Sequence, residues 1–408
     1  MSTVLATRAV PVGLPGLVVG QRGPGPLPRS LLAPGVLLLA GVRPGQLVDR
    51  VAHDAQWGPL PRPGLPALID AAAREHLVGA GGAAFPTDRK LASLQGRRVA
   101  LVVVNGAEGE AASGKDGVLL GHVPHLVLDG AVLAAQALGA PRVVVRISAD
   151  RPDLAAQLPA VLASRDDPVR VELSIGPSAF VAGEATAVIR ALAGGPALPA
   201  ELGLPPALPT RGLRRGGQVL LGNVETFARL AVAARGLPAR SALASASGAV
   251  AGPGVVELPA SRTLADLAAA AGGVVGEPTL LVAGGWHGRW IRWDGVAAAA
   301  RLTHDDVALV GGRWGAGAFV WLPGDLDPVE SLRVIAAELA AGSAGQCGPC
   351  WRGLPEVAVT LGHVAEGRVP RVAFEALVAD VEGRGLCAHP TAAVAALRSA
   401  LDAIGAVA

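Results

Sequence analysis

The stretch VALVVVNGAEGE, residues 99–110, decides the fold, because an apolar run is followed at once by an asparagine, two glycines and two carboxylates. A short apolar run bounded by turn signals predicts a buried strand. Helical spacing begins at Leu65. Further helices and strands are predicted to alternate at residues 126–138, 143–147, 154–162 and 169–173. This alternation predicts a Rossmann-like parallel α/β sheet, in which ligands bind at the carboxyl ends of the strands.

The composition of the 408-residue chain excludes several classes of protein. Hydrophobic residues make up 51% and charged residues 17%, and the net charge is +2. The longest apolar run, residues 31–42, is broken by Pro34 and Gly35 and is too short for a transmembrane helix. Neither a signal peptide nor a basic stripe with interleaved aromatics is present, so we expect a cytoplasmic protein that does not bind nucleic acid.

The chain divides by composition into four parts. Residues 1–64 are rich in Pro, Gly and Arg and predict an irregular extension with one or two strands. The α/β pattern occupies residues 65–240. A Gly-Pro-Gly turn between two short strands, followed by a helix within residues 245–267, indicates a second domain over residues 241–325. Helical spacing in residues 326–408 predicts a helical bundle that carries all three cysteines.

Lysine and asparagine are almost absent from the chain. The two lysines are Lys90 and Lys115, and the two asparagines are Asn105 and Asn223. Each lies in or beside a Gly-rich or acidic segment, which indicates that its chemistry is needed there. The alternative is chance survival on the surface, and it explains a single residue better than it explains the set.

Four segments of the α/β part could bind a ligand, although each also has an ordinary structural explanation. Glycines in residues 79–87 allow backbone N–H groups to approach an anionic or planar ligand, and Lys90 adds a charge for phosphate, but a tight turn would look the same. The carboxylates of residues 105–110 could accept ribose hydroxyls or form a solvated surface. In residues 179–186 and 222–226, Glu184 could begin a helix and Asn223 could cap one.

The cysteines form a close pair and a distant third, Cys347, Cys350 and Cys387. This spacing favours metal ligation over a disulfide framework and a reducing compartment over an oxidising one. Two sites are compatible with it. Three thiolates could hold an iron–sulfur cluster, and with His389 they would make a Cys3His zinc set.

Taken in order from about residue 65 to about residue 400, these segments resemble the 51-kDa NADH-oxidising subunit family of respiratory complex I. The strings that carry the resemblance are GGAAFPTDRK, NGAEGEAASGKD, AFVAGEAT, GNVET and QCGPCWRG with the later LCAH. Residues 245–267 resemble the soluble-ligand-binding β-grasp (SLBB-like) module of the same family. The resemblance implies FMN, NAD and a [4Fe–4S] or [3Fe–4S] cluster as cofactors. It implies an oxidoreductase in which NADH reduces FMN and single electrons leave through the cluster, so no side chain need act as an acid or base.

The family motifs assign roles to individual residues. By resemblance, Gly79, Gly81, Gly82 and Lys90 contact flavin or dinucleotide, and Phe85 stacks on the adenine. The residues that the resemblance places around the flavin and ribose are Asn105, Glu108, Glu110, Phe180, Gly183, Glu184 and Asn223. Cys347, Cys350 and Cys387 hold the cluster, while Ala344 occupies the position of the first ligand of the family pattern.

Several residues depart from the family pattern where it handles the dinucleotide. Ala80 replaces an Arg, Ala84 a Gly, Ala107 an Asp, and Ala185 the second of two Glu. Each lost charged hydrogen bond is worth about 1.5–3 kcal/mol, so two losses would weaken NADH binding roughly a hundredfold or more. Two alternatives to a working NADH dehydrogenase therefore stay open. They are a scaffold or regulatory electron-transfer subunit that has lost NADH oxidation, and a zinc-stabilised ligand-binding protein.

The resemblance also predicts the partner. We expect an iron–sulfur or ferredoxin-type redox protein, or a membrane redox complex on which this chain lies peripherally, with no span of its own through the membrane.

Overall fold

The computed structural model describes residues 38–40, 42, 45–200, 207–209 and 217–405. Within the described part of the extension a helix forms, α1 (Arg50–Trp57), where an irregular segment with one or two strands was expected. The prediction for residues 1–37 lies outside the described residues. The N–H groups of Leu38 and Leu39 donate to the carboxylate of Glu257 at 2.9 and 2.8 Å, which ties the extension to the second domain.

The first domain is a five-stranded sheet covered by helices. Its elements are α2 (Leu65–Arg74), α3 (Thr87–Ala92), β1 (Val99–Gly106), α4 (Lys115–His122), α5 (Pro124–Leu138), β2 (Arg142–Ser148), α6 (Pro152–Ala163), β3 (Arg170–Gly176), α7 (Ala185–Leu192), β4 (Ala207–Pro209), β5 (Gln218–Asn223) and α8 (Val224–Ala234). The strand order is β3-β2-β1-β5-β4. The predicted Rossmann-like parallel sheet is confirmed, with one addition: β4 pairs antiparallel to β5 at the edge.

The centre of this sheet is buried on both faces, as the continuous apolar run of β1 predicts. Val102 and Val104 belong to the large cluster under the helices α4, α5 and α8, while Leu101 and Val103 pack with Val188 of α7 on the other face. The strands β1 and β5 are parallel neighbours, and Asn105 pairs with Asn223 in their register. The fold therefore brings the two asparagines of the chain together at the carboxyl ends of adjacent strands.

The second domain is a mixed sheet with the strand order β7-β6-β10-β8-β9. Its elements are β6 (Ser241–Gly248), β7 (Gly254–Pro259), α9 (Leu264–Ala270), β8 (Leu280–Ala283), β9 (Arg289–Arg292), α10 (Gly295–Ala299), α11 (His304–Leu309) and β10 (Ala318–Leu322). The pair β10 and β6 is parallel, and the other pairs are antiparallel. Phe319 and Trp321 of β10 are buried in the core between this sheet and α9.

The C-terminal part is helical, as predicted. It contains α12 (Pro328–Ala341), a π-helical turn (Pro349–Gly353), α13 (Leu354–Ala365), α14 (Arg371–Val381) and α15 (His389–Gly405). Phe374 of α14 is fully buried in the bundle core, and this core continues into the apolar side chains of β8 and β10. The N–H of Trp290 on β9 donates to the hydroxyl of Ser399 on α15 at 3.1 Å, so the bundle is fixed against the second sheet.

Among the described residues no single helix has the length and apolarity needed to cross a membrane. By length and composition alone, α4 and α5 pass as a pair that is bent by 95°.

Candidate functional site

A cavity of about 480 Å³ lies at the carboxyl ends of β1 and β5. Its walls come from all three parts of the chain, since a loop of the second domain and the beginning of α15 also line it. All twelve cofactor-binding residues predicted from the sequence line this cavity: Gly79, Gly81, Gly82, Phe85, Lys90, Asn105, Glu108, Glu110, Phe180, Gly183, Glu184 and Asn223. The volume falls within the range of about 300–1,000 Å³ that is usual for small-molecule and cofactor sites.

The glycine loop is a turn between α2 and α3. The N–H of Gly79 donates to the carbonyl of Phe85 at 2.9 Å, and the N–H of Ala80 donates to the hydroxyl of Thr226 at 3.0 Å. Within the described residues, the N–H groups of Gly81 and Gly82 have no hydrogen-bond partner. Unpaired N–H groups at a ligand cavity are suited to bind an anionic or carbonyl group of a ligand.

Two features of this loop bear on the sequence predictions. Ala84, at a family glycine position, adopts a φ of 49°, a left-handed conformation that costs a side-chain-bearing residue about 1 kcal/mol or more. Phe85 is 38% exposed and lines the cavity, so its ring is available for stacking.

Lys90 reaches the cavity from α3. Its ammonium donates to the carbonyl of Leu221 at 2.8 Å, and burial lowers its pKa. No carboxylate pairs with it among the described residues. A buried ammonium without a counter-charge suits an anionic ligand, as the sequence predicts.

The acidic loop has a different role from the one expected. The carboxylate of Glu108 accepts from the hydroxyl of Ser113 at 2.5 Å and from the N–H groups of Asp116 and Gly117 at 3.2 and 3.1 Å, at the N-terminus of α4. Glu110 accepts from the N–H of Trp286 at 3.0 Å. Both carboxylates thus hold protein N–H groups, and these contacts do not favour the ribose-acceptor role.

Glu184 and the asparagines also form structural bonds. Glu184 caps α7 through the N–H groups of Thr186 and Ala187, and Asn223 caps α8 through the N–H of Glu225; these are the structural alternatives considered from the sequence. The amide of Asn105 donates to the carbonyl of Gly183 at 2.8 Å. The acidic loop and the Gly-Glu segment are therefore joined directly at the wall of the cavity.

A buried charge network lies behind the cavity, and the sequence motifs did not identify it as such. The ammonium of Lys115 is 2.8 Å from Asp116, 3.0 Å from Glu225 and 3.2 Å from the Asn223 carbonyl oxygen, and its side chain is only 2% exposed. Burial alone would lower the pKa of Lys115, but the charges of Asp116 and Glu225 raise it. Glu225 is also paired with Arg229 at 2.7 Å. The rarity of lysine was the signal that pointed here.

Two histidines at the cavity were also missed. His287, in the glycine-rich turn between β8 and β9, stacks on Phe180 with ring centroids 4.2 Å apart. Its Nε2 is 2.9 Å from Nδ1 of His389, and Nε2 of His389 donates to the carbonyl of Leu339 at 3.0 Å. Burial, with the nearby His287, lowers the pKa of His389 to about 3, so its ring is neutral and Nδ1 accepts from His287.

The three cysteines form one cluster of thiols beside the cavity, and Cys387 itself lines the cavity. Burial raises the pKa of Cys350 to about 12, and a hydrogen bond with Cys347 and the proximity of Cys387 add to the shift. The N–H of Ala344, at the first family ligand position, donates to the sulfur of Cys350.

The zinc interpretation does not fit this geometry. Zinc would need one ring nitrogen of His389, but both are hydrogen-bonded, one to His287 and one to Leu339. Among the described residues, no group of three or more His, Cys, Asp or Glu side chains could hold a single metal ion. In a cluster each thiolate binds a different iron, so three neighbouring thiols fit that arrangement better.

Comparison with known families agrees with this site. The description "Nuo51 FMN-binding domain" matches residues 72–232, and "NADH-ubiquinone oxidoreductase-F iron-sulfur binding region" matches residues 330–405. The chain belongs to the 51-kDa subunit family of complex I. The family prediction is confirmed. FMN, NAD and an iron–sulfur cluster, predicted as the cofactors, are those to which the family descriptions point.

Relatives within the family are distant. An NADH-quinone oxidoreductase subunit of Aquifex aeolicus is 26% identical over 365 residues, which cover 82% of this chain and 83% of that protein. The NADH-quinone oxidoreductase subunit of the same name from Escherichia coli is 25% identical, covering 80% of each chain. The NADP-reducing hydrogenase subunit HndC of Solidesulfovibrio fructosivorans is 25% identical, covering 76% of this chain and 68% of that protein.

A solved structure shares the fold. A chain of an NAD⁺-reducing [NiFe]-hydrogenase in the air-oxidised state superposes with a TM-score of 0.73 and 26% identity over 83% of this chain. This chain spans 61% of the length of that hydrogenase chain.

Proposed function

We propose that this member of the 51-kDa subunit family binds FMN in the cavity and an iron–sulfur cluster at the three cysteines, and that it transfers electrons from NADH to a redox partner. The observation that carries the proposal is the position of Cys387, which lines the same cavity as all twelve predicted cofactor-binding residues. A flavin in the cavity would thus lie beside a cluster ligand, and electrons would have a short path from one to the other.

The residues present fit a flavin mononucleotide. The free N–H groups of Gly81 and Gly82 and the unpaired ammonium of Lys90 offer donors to its carbonyl and phosphate groups. Glu108 and Asn223 hold the beginnings of α4 and α8 at the cavity wall. When bound, FMN accepts a hydride and releases single electrons, while the chain supplies orientation and excludes water.

The cysteine site fits a cluster with three protein ligands. Cys347, Cys350 and Cys387 would each bind one iron. Ala344 has no ligating side chain, so a fourth iron would take a ligand from outside the chain, or the cluster would be of the [3Fe–4S] type.

A second candidate function has its own observation. The carboxylates of Glu108, Glu110 and Glu184 accept protein N–H groups, and Phe180 is covered by His287. These are side chains expected around the nucleotide. A subunit that keeps FMN and the cluster but no longer oxidises NADH, acting as a scaffold or regulatory electron-transfer subunit, would have the same contacts.

The remaining parts of the proposal concern domains and partners. The four divisions proposed are residues 1–64, 65–240, 241–325 and 326–408. We propose that residues 241–325 form a β-grasp (SLBB-like) module, since a five-stranded mixed sheet there packs against the single helix α9. The proposed partner is an iron–sulfur or ferredoxin-type protein, as part of an assembly like those of the complex I and hydrogenase relatives. On a membrane complex the chain would be a peripheral subunit.

Absorbance of anaerobically purified protein tests the proposal. Flavin bands with broad iron–sulfur absorbance are expected, and bleaching of the flavin by NADH separates the dehydrogenase from the second candidate. We expect Lys90→Ala and Asn105→Ala to lower the FMN-to-protein ratio while the far-ultraviolet circular dichroism stays unchanged. Arg89→Ala, an exposed neighbour on α3, is the control. Full FMN occupancy in both variants, or a wild-type protein that takes up no FMN, would refute the proposed site.

A further inference from the structure

A loop of the second domain brings an arginine to the glycine loop of the first. The guanidinium Nη2 of Arg313 donates to the carbonyl of Gly82 at 3.2 Å. The side chain is exposed and lines the cavity beside the twelve predicted residues. Residues 310–317 had no predicted role.

The backbone that carries Arg313 is held in place by close packing. A side chain at Gly284 would lie 2.5 Å from the carbonyl oxygen of Arg313, and one at Gly315 would lie 2.3 Å from the carbonyl oxygen of Gly284. Both glycines have a positive φ, of 103° and 52°. The neighbouring Trp314 is buried in the core of the second domain. Arg313 therefore projects from a rigid turn, and ordering it on a ligand costs little backbone entropy.

The charge balance of the cavity wall leaves Arg313 without a counter-charge. Lys115 is neutralised by Asp116 and Glu225, and the other carboxylates at the wall accept peptide N–H groups. Arg313 pairs with no carboxylate among the described residues. A charged group that does act on it is another cation, Arg289.

Arg289 strengthens the positive field at this side of the cavity. Burial lowers the pKa of Arg289, and the charges of Arg313 and Arg398 lower it further. Two guanidinium groups held within range of mutual repulsion are stabilised when an anion binds between or beside them.

The glycine loop itself supplies no cation beside this arginine. Ala80 stands where the family pattern has an arginine, and its N–H is bonded to Thr226. A nicotinamide dinucleotide carries two negative charges on its diphosphate, which planar guanidinium groups bind through paired N–H donors.

We infer that Arg313 binds the diphosphate of the nicotinamide dinucleotide, supplying from the second domain the charge that Ala80 does not provide. This inference rests on the proposed function. It makes the interface between the two domains part of the dinucleotide site.

The test compares anaerobic flavin reduction by NADH and by dihydronicotinamide riboside, which has the same reactive ring and no phosphate. The variant is Arg313→Gln in the full chain with FMN and cluster bound, and Arg292→Gln, an exposed arginine at the end of β9, is the matched control. Loss of a charged hydrogen-bond pair predicts that kcat/KM for NADH falls about tenfold to a hundredfold. The riboside reaction, FMN content and the control variant should match the wild type, and Arg313→Lys should lie between.

Each other outcome overturns the inference. An equal fall for NADH and the riboside would show that Arg313 shapes the cavity and binds no phosphate. A fall for NADPH without one for NADH would assign it to the 2′-phosphate. Unchanged NADH kinetics would show that it has no role in binding. Failure of the proposed function is separate, because there the wild-type flavin itself would not be reduced by NADH.

Discussion

Removal of the Lys115 ammonium is the most direct test of what holds the cavity wall together. In Lys115→Met the apolar stem keeps its volume while Asp116, Glu225 and the amide of Asn223 lose their shared partner. Breaking a buried ion pair by deleting one partner costs about 3–5 kcal/mol, since the charge left behind has no compensation. Glu225 keeps Arg229 and Asp116 keeps the Asn223 amide, so we expect the lower half of that range.

The defect should also depend on pH, in a direction fixed by the carboxylates. In the wild-type protein, burial raises the pKa of Asp116 to about 7, Lys115 opposes the shift, and Glu108 adds to it. Without Lys115 this pKa rises further above its unfolded value. A carboxyl group whose folded pKa is raised loses stability as the pH rises through that pKa, so the variant should be more strongly destabilised at about pH 8 than at about pH 5.

Urea denaturation of wild type and variant at both pH values measures these differences. The control is Arg50→Met, which breaks the exposed Arg50–Asp54 pair on α1 and should cost no more than about 0.5 kcal/mol at either pH. A Lys115→Met loss as small as that of the control would refute the buried network. A loss that grew toward acid would refute the assignment of Asp116 and Glu225 as the groups left uncompensated.

Three further predictions test other parts of the fold and site. Asp129→Asn removes a buried carboxylate bonded to His53, Arg165 and Arg235 and should cost about 3–5 kcal/mol in urea denaturation. Because these partners lower the Asp129 pKa against burial, the difference from wild type should shrink as the pH falls below about 4, whereas Asp54→Asn should have little effect at any pH. Asn223→Ser keeps an N-cap acceptor for α8, so Asn223→Ala should unfold at lower urea by about 1 kcal/mol more. Gly183→Ala places a methyl group 2.4 Å from the Ala107 carbonyl oxygen, so the purified variant should retain less FMN per chain, and full retention would show that the loop moves freely.

The elements of the fold could be predicted because their signals are local. The apolar run of β1 and the helical spacing of α5, α6 and α13 lie within single segments, and the strand Ala318–Leu322 has the predicted bounds. The antiparallel β4 and the helix α1 could not be predicted in the same way. Both are short and lie in Pro- and Gly-rich sequence, where packing against the rest of the chain decides the conformation.

The location of the site was predictable, but the contacts within it were not. Asn105 and Asn223 end two strands, and parallel strands bring their carboxyl ends together. Which atoms a side chain contacts depends on elements far away in the sequence. Glu110 accepts from Trp286, and His389 meets His287, over separations of more than 100 residues. A sequence pattern contains no information on such pairs.

The retained and the replaced positions of the family motifs differ in what they do. Glu108, Asn223 and Lys115, which the chain retains, cap helices or close the buried network, so losing them would damage the cavity itself. Ala80 and Ala107, where charged residues were replaced, line the cavity. Such replacements reduce the charge offered to a ligand without disturbing the wall. Selection on the shape of the cavity has therefore been kept while selection on the original dinucleotide contacts has relaxed. This is the pattern expected if the flavin is still bound and the dinucleotide is either no longer used or held by a cation from elsewhere, which is the question that Arg313 answers.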